Sequence, residues 1–191
     1  KWEAITASLS RSLDVAVRGR APADDGRLAV PMTATRRALN LDYLASVLGQ
    51  TLAGTPLAER IVIRRSGERL IVSLPADHAF RLGSAALSPQ ARRTVIALAT
   101  VLRTISNQIA SEGHADPAPI RGGVFASNWE LSLARAESVA AVLRAVDGRR
   151  SIVARGFADS RHTEPQRVDV TTPPVPARRV DIVILQPLGV P

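Results

Sequence analysis

The sequence predicts an α+β fold in which helices cover one face of a β-sheet. The runs Ile61–Ile63 and Leu70–Leu74 flank the turn residues Ser66 and Gly67, a pattern typical of a β-hairpin. Two helices with recognisable N-caps follow, and each is succeeded by a strand-like segment. The predicted order from residue 60 is therefore β-β-α-β-α-β-β, which favours a two-layer α+β sandwich.

The segment before the hairpin predicts helices joined by a linker. Apolar residues at helical spacing predict a short amphipathic helix over Trp2–Leu13. Glycines and prolines interrupt any period over Val17–Arg37, which favours a loosely packed linker. Asn40 is a candidate N-cap for an apolar-striped helix that ends at Gly54.

The two longer helices have clear start signals. Ser88 and Pro89 are typical of an N-cap and first helical residue, and the helix is expected to run to about Ser106. The capping-box pair Ser127 and Glu130 predicts a second helix that runs to about Val146. We expect its buried side to consist of Trp129, Leu133, Ala136, Ala140 and Leu143.

Shorter sequence segments predict the strands that complete the sheet. The predicted segments are Gln108 to Glu112, RSIVARGFAD after the second helix, and RRVDIVIL near the end of the chain, preceded by a proline-rich loop, Arg161–Ala177. We divide the chain into an N-terminal helical segment and linker, residues 1–58, and a globular domain, residues 59–187.

Composition narrows the class of function. Apolar residues make up 46% of the 191 residues, cysteine is absent, and the formal net charge is +8. Disulfides and cysteine-based sites are therefore excluded. The charge indicates either an anionic partner or a solvated basic surface. No run is long and apolar enough to span a membrane, and because the chain opens on Lys1 and not on methionine we expect its N-terminus to have been trimmed.

One group of residues suggests a binding site for a zwitterion. Asp116 follows a predicted strand end, while Asn128, Leu131 and Arg135 share one face of the capped helix near its N-terminus. An arginine in that position can bind a carboxylate through two hydrogen bonds, and a nearby aspartate can bind an ammonium group.

Other interpretations of the same residues compete with this one. His114 and Asp116 are too few for a metal site, and no nucleophile elbow supports a hydrolase that would use Ser127. Arg135 is also a candidate for a structural ion pair with Glu130 or Glu137. Basic charge alone suggests nucleic-acid binding, but no recognised motif or aromatic stacking surface supports it, so no nucleic-acid partner is expected.

Several motifs resemble one family. They are F-x-x-G-S-A-x-L from Phe80, GHAD from Gly113, SNWELSLARAESV from Ser127, GFADSR from Gly156 and RRVDI from Arg178. In this order and spacing they resemble the OmpA-type peptidoglycan-binding domain over roughly Ile61 to Leu185. The segments SNWELS and GHADPAPI are most similar to the MotB branch, which comprises flagellar motor stator subunits.

The resemblance implies a β-α-β-α-β sandwich that binds the diaminopimelate-bearing peptide stem of peptidoglycan without catalysis, cofactor or metal. Asp116 would bind the ammonium group and Arg135 the carboxylate. Asn128 and Leu131 would shape the pocket, and Arg178 or Arg179 would line its rim.

The resemblance also implies a setting for the domain. It would be the periplasmic part of a single-pass inner-membrane protein, would form a homodimer, and would pair with a MotA-like partner through a transmembrane helix that this chain lacks. The alternatives are another envelope anchor of the OmpA/Pal type, not linked to the flagellum, and a degenerate domain that serves protein interaction. Two residues depart from the family pattern, Ala115 in place of the usual threonine and Ala177 in place of the usual asparagine. These departures favour the last alternative, a degenerate domain.

Overall fold

Helices and strands alternate in the predicted order. The computed structural model describes residues 40–118, 120, 124–160 and 174–186. Within them the helices are α1 (Leu41–Ala53), α2 (Ala76–Ala79), α3 (Pro89–Leu102) and α4 (Asn128–Val146), and the strands are β1 (Val62–Ser66), β2 (Arg69–Pro75), β3 (Ile109–His114), β4 (Val153–Gly156) and β5 (Arg179–Leu185). The α+β class is confirmed, and the short α2 is an element that the sequence did not predict.

The five strands form one mixed sheet in the order β1-β2-β5-β3-β4. β3 and β4 are parallel, and the other neighbouring strands are antiparallel. Ser66 pairs with Arg69, so the predicted hairpin has a two-residue turn. Gly67 occupies it with φ of 57°, a left-handed conformation that glycine adopts without steric cost.

One face of the sheet packs against the helices and forms the core. Alternate residues of the central strands, such as Val72 in β2 and Ile182 in β5, join leucines of α1 and aliphatic residues of α3 and α4 in a single buried cluster. Leu44 and Leu48 of α1 are fully buried. Helix α1 therefore packs into the same core as the sheet, and each such leucine contributes roughly 1.5–3 kcal/mol of burial free energy.

The predicted helix caps are confirmed. Asn40 accepts a hydrogen bond from the Asp42 amide, and Ser88 accepts one from Ala91. Ser127 accepts one from the Glu130 amide at 3.2 Å, while the Glu130 carboxylate accepts from the Ala126 amide at 2.7 Å. The bonds to the side chains of Asn40, Ser88 and Ser127 satisfy amides that the first helical turn leaves without partners, and the Glu130 bond fixes the residue before the cap.

The predicted buried side of α4 is wrong in its first turns. Trp129 is 54% exposed and Leu133 is also exposed, whereas Leu131, Ser132 and Arg135 are buried. The helix is rotated in this way because it lies directly on the ends of β3 and β4. A Cβ atom built on Gly113 would lie 1.9 Å from the Ser132 carbonyl oxygen, so this close approach requires glycine.

Some predicted elements have other bounds in the structure, and some lie outside the described residues. Helix α3 ends at Leu102, four residues before the predicted end, although Ile105 remains buried in the turn that follows. Strand β3 extends to His114 because its last residues pair with β5. The predicted helix Trp2–Leu13, the linker Val17–Arg37 and most of the proline-rich loop lie outside the described residues.

Candidate functional site

A cavity of about 510 Å³ opens at the end of the sheet where β3 finishes and α4 begins. Its walls come from α2 and the loop after it, the loop after β3, the first turns of α4, and Arg178 just before β5. The volume lies in the range that small-molecule sites usually occupy. Asp116, Asn128, Leu131, Arg135 and Arg178, five of the six residues proposed from the sequence, line it.

Arg135 is held rigidly in the wall of this cavity. The residue is 6% exposed, its Nε donates to the Ser84 carbonyl oxygen at 3.0 Å, and its guanidinium lies 5.2 Å from the centre of the Phe80 ring. Among the described residues, its terminal nitrogens have no hydrogen-bond partner. It pairs with neither Glu130 nor Glu137, which accept from Ala126 and Arg144 instead.

The electrostatic setting of Arg135 is mixed. Burial lowers its pKa, the carboxylates of Asp77 and Asp116 raise it, and the neighbouring Arg178 lowers it, with a net lowering. An arginine stays protonated at neutral pH even so. The cavity therefore contains a partly desolvated cation whose forked donors are available to a planar anion.

Asp116 and Arg178 are in contact in the wall of the cavity. Arg178 Nη1 lies 3.3 Å from Asp116 Oδ2, and Nη2 donates to Asp77 Oδ2 at 3.0 Å. Arg178 is thus shared between two carboxylates. The three side chains are between one-third and three-fifths exposed, so solvent screens these pairs.

Asn128 positions the loop that carries Asp116. Its side-chain amide donates to the backbone oxygens of Asp116 at 3.1 Å and Ala118 at 2.8 Å. Ala115, which stands where the family usually has threonine, is buried, lines the cavity, and is fixed by a hydrogen bond from its amide to the Ala158 oxygen. The substitution therefore leaves the backbone of the loop anchored.

Arg179 does not line the cavity, contrary to the sequence-based expectation. Residues alternate between the two faces of β5, so Arg179 lies on the face opposite Val180 and away from the helical core. Its Nε donates to both carboxylate oxygens of Asp181, at 3.0 and 3.1 Å. His114 lies on that face too, 3.4 Å from Asp181 and stacked on Phe157.

Asp181 is the charged centre of that buried cluster. Burial by itself would raise its pKa, but the close approach of His114 and the positive charge of Arg179 outweigh burial and lower the pKa below its ordinary value. Asp181 is therefore ionised at neutral pH and balances the buried Arg179. This cluster supports the sheet and does not reach the cavity.

Sequence reasoning missed Asp77 as a cavity residue. Asp77 belongs to no motif quoted above, and it lies in α2, which follows β2 directly. Pairing of β2 with β5 brings Pro75 opposite Arg179, and the Ala76 amide donates to the Arg178 oxygen at 2.9 Å. Only this strand pairing places Asp77 beside Arg178.

The described residues contain neither a cluster of three side chains suited to a metal ion nor a helix long and apolar enough to cross a membrane.

Residues 79–151 match the OmpA family, and the mixed α+β fold matches that of MotB-like and OmpA-like neighbours. This part of the chain is therefore OmpA-like. Its structural neighbours include a MotB periplasmic domain and a cell wall anchor.

Two sequence relatives support this placement. The protein named "Uncharacterized protein YtxE" of Bacillus subtilis is 30% identical over 146 residues, which span 75% of this chain and 59% of that protein. Motility protein B of Escherichia coli is 45% identical over 60 residues, which span 31% of this chain and 20% of that protein. The match thus spans less than two-thirds of either relative.

Solved structures share the fold. The cell wall anchor of the type VI secretion system (T6SS) from Pseudomonas aeruginosa is 28% identical, with a TM-score of 0.61 over 73% of this chain and 96% of that one. A putative MotB-like protein from Desulfovibrio vulgaris is 19% identical, with a TM-score of 0.64 over 76% and 94%. The periplasmic domain of Helicobacter pylori MotB is 20% identical, with a TM-score of 0.55 over 68% and 81%.

Proposed function

We propose that the domain is a non-catalytic anchor that binds the diaminopimelate-bearing peptide stem of peptidoglycan in the cavity. The observation that carries this proposal is Arg135. A nearly buried guanidinium with a fixed Nε and unpartnered terminal nitrogens is preorganised for a carboxylate. The match of residues 79–151 to the OmpA family supports the choice of peptidoglycan as the ligand.

The cavity also contains a carboxylate that suits an ammonium group. Asp116 is one-third exposed and lies close enough to Arg135 for its charge to raise the pKa of that arginine. A group that carries a carboxylate and an ammonium on one carbon would then bind Arg135 and Asp116 together. The free end of diaminopimelate has this chemistry.

The apolar part of the cavity suits the methylene chain of the diamino acid. Leu131 is a buried residue of the cavity wall, and Leu82 and Val124 contribute largely exposed side chains to the lining. Covering them would remove apolar area from water at roughly 25 cal/mol per Å². The cavity thus offers both charge recognition and an apolar contact.

The test is a calorimetric titration of the chain with a muropeptide that contains diaminopimelate. Truncating one member of a desolvated charge pair costs about 2–5 kcal/mol, so Arg135→Ala is expected to weaken binding at least about 30-fold. Asp116→Asn is expected to weaken it in the same direction, but less, because Asp116 is more exposed. Arg135→Lys keeps the charge but loses the fork, and is expected to lie between Ala and wild type.

Arg92→Ala is the matched control, because Arg92 is exposed on α3 outside the cavity and its loss changes the net charge equally. The proposal is wrong if wild type fails to bind the muropeptide, or if Arg92→Ala weakens binding as much as Arg135→Ala. The second outcome would mean that net charge, and not the cavity, attracts the wall polymer.

For the parent protein we propose a MotB-like stator subunit of the flagellar motor. In this role the periplasmic domain tethers an inner-membrane complex to the wall, as a homodimer with a MotA-like partner. The 45% identity to motility protein B over 60 residues supports this assignment. Deleting the gene is then expected to abolish swimming in soft agar while flagella remain assembled.

A second candidate is an anchor of another envelope machine. It is favoured by the 28% identity and 0.61 TM-score shared with the cell wall anchor of a T6SS. Retained swimming together with lost secretion in the deletion strain would decide for this candidate.

A further inference from the structure

Arg178 is bound unequally by two carboxylates of the cavity. Its contact with Asp77, at 3.0 Å, is a hydrogen bond, whereas its contact with Asp116, at 3.3 Å, is an ion pair without hydrogen-bond geometry. The side chain of Arg178 is 45% exposed, and those of Asp77 and Asp116 are 57% and 32% exposed. The guanidinium is therefore bound mainly by Asp77, and its contact with Asp116 is the weaker one.

We infer that Arg178 is an internal competitor for the ammonium group of the ligand, and that Asp77 holds Arg178 when the ammonium occupies Asp116. This inference rests on the proposed function. It assigns to Arg178 a role opposite to that of a ligand contact, because the guanidinium occupies the carboxylate that the ligand's cation needs. It also gives a role to Asp77, which belongs to none of the sequence motifs.

Charge balance supports the exchange. In the unliganded site one guanidinium serves two carboxylates. When an ammonium group binds Asp116, each carboxylate has one cation, and Arg178 keeps its hydrogen bond to Asp77. The exchange breaks only the weaker contact, between partly exposed groups, and such pairs contribute little free energy. Arg178 thus lowers the affinity of Asp116 for the ligand's ammonium group. Asp77 reduces this effect, because it binds Arg178 when the ammonium group is present.

Arg81 shows that a cation at the rim need not compete in this way. It also lines the cavity, it is exposed, and among the described residues it forms no ion pair. Removing Arg81 or Arg178 changes the charge of the cavity equally, but only Arg178 contacts Asp116. The pair therefore separates competition for Asp116 from a general effect of charge.

The experiment measures preference for an ammonium group, not affinity alone. Two stem peptides are titrated into the full chain, one with the free amino group of diaminopimelate and one with that group acetylated. The quantity of interest is the ratio of the acetylated to the free Kd, because changes in carboxylate binding cancel in it. Arg178→Gln is expected to raise this ratio about two- to fivefold, the range of an exposed ion pair.

Further variants test the role of Asp77. Asp77→Asn is expected to lower the ratio in the wild-type background, because Arg178 then rests on Asp116 alone, and to lower it much less in the Arg178→Gln background. Arg178→Lys, which keeps a cation, is expected to give a ratio near wild type. Arg81→Gln is expected to leave the ratio unchanged, and melting temperatures verify that each variant is folded.

The outcomes distinguish this inference from the proposed function. If wild type binds the free peptide and Arg135→Ala abolishes binding, but Arg178→Gln lowers the ratio or leaves it unchanged, the anchor function stands and the competitor role is wrong. An equal rise for Arg81→Gln and Arg178→Gln would also overturn that role. If wild type binds neither peptide, the proposed function fails and the inference fails with it.

Discussion

Replacing Gly113 by alanine tests how helix α4 is placed against the sheet. The added Cβ would lie 1.9 Å from the Ser132 carbonyl oxygen and 2.7 Å from its carbonyl carbon, both backbone atoms that cannot rotate away. An ordinary contact begins at 3.4 Å, so helix and strand must separate by about 1.5 Å, the difference between 3.4 and 1.9 Å.

That separation has a large cost for one methyl group. Overpacking a core costs about 1–3 kcal/mol, and a gap of 0.5–1 Å already removes a quarter to a half of a dispersion contact. Because backbone opposes the new atom, we expect Gly113→Ala to lower the free energy of unfolding by about 3 kcal/mol. Ligand affinity should fall as well, since Arg135 moves with the helix and Asp116 with the strand.

The assay is urea unfolding followed by circular dichroism, with the midpoint and the m-value compared between variants. Gly49→Ala is the matched control. Gly49 is exposed inside α1 with nothing within 4 Å of a built Cβ, so the same substitution should stabilise by up to about 1 kcal/mol. A Gly113→Ala protein within about 0.5 kcal/mol of wild type would refute the close-packing argument.

Three further predictions concern the cap, the loop and the buried charge cluster. Ser127→Ala removes the N-cap of α4 and should cost about 1 kcal/mol in urea unfolding. Asn128→Ala removes two hydrogen bonds to the loop and should weaken muropeptide binding in calorimetry more than it lowers stability. Asp181→Asn leaves Arg179 buried without its anion and should cost about 3–5 kcal/mol at neutral pH. Because the folded-state pKa of Asp181 is lowered, its ionisation stabilises the fold above the unfolded-state pKa of about 3.9, and this stability is lost as pH falls through the folded-state pKa. The urea midpoint of wild type should therefore fall more steeply on acidification than that of Asp181→Asn.

Each of these has an outcome that would contradict it. An unchanged midpoint for Ser127→Ala would mean that water replaces the cap at no cost. Equal losses of stability and affinity for Asn128→Ala would mean that the residue supports the whole domain and not the loop. Parallel acid profiles for wild type and Asp181→Asn would mean that Asp181 does not contribute to acid stability.

Local signals predicted most of the fold. The caps at Asn40, Ser88 and Ser127 are short-range hydrogen bonds between residues two or three apart, so a sequence pattern is sufficient to find them. The hairpin at Gly67 is equally local, because its turn needs a left-handed residue. Helical spacing also placed Asn128, Leu131 and Arg135 on one face, and all three line the same cavity.

Tertiary structure decided what spacing could not. Trp129 and Leu133 looked like core residues because they are apolar, but the orientation of α4 depends on the close approach that glycine allows at the end of β3. Adjacent arginines in RRVDI looked equivalent, yet Arg178 lies in the bend before β5 and reaches the cavity, whereas Arg179, the first residue of β5, lies on the face that carries Asp181.

The sequence by itself thus determined the order of elements, their caps and the chemical character of the site, because these depend on neighbours along the chain. The tertiary structure alone decided which face of α4 is buried, which arginine enters the cavity, and that Asp77 belongs there. These depend on the pairing of β2 with β5, strands separated by more than 100 residues, which no local pattern encodes.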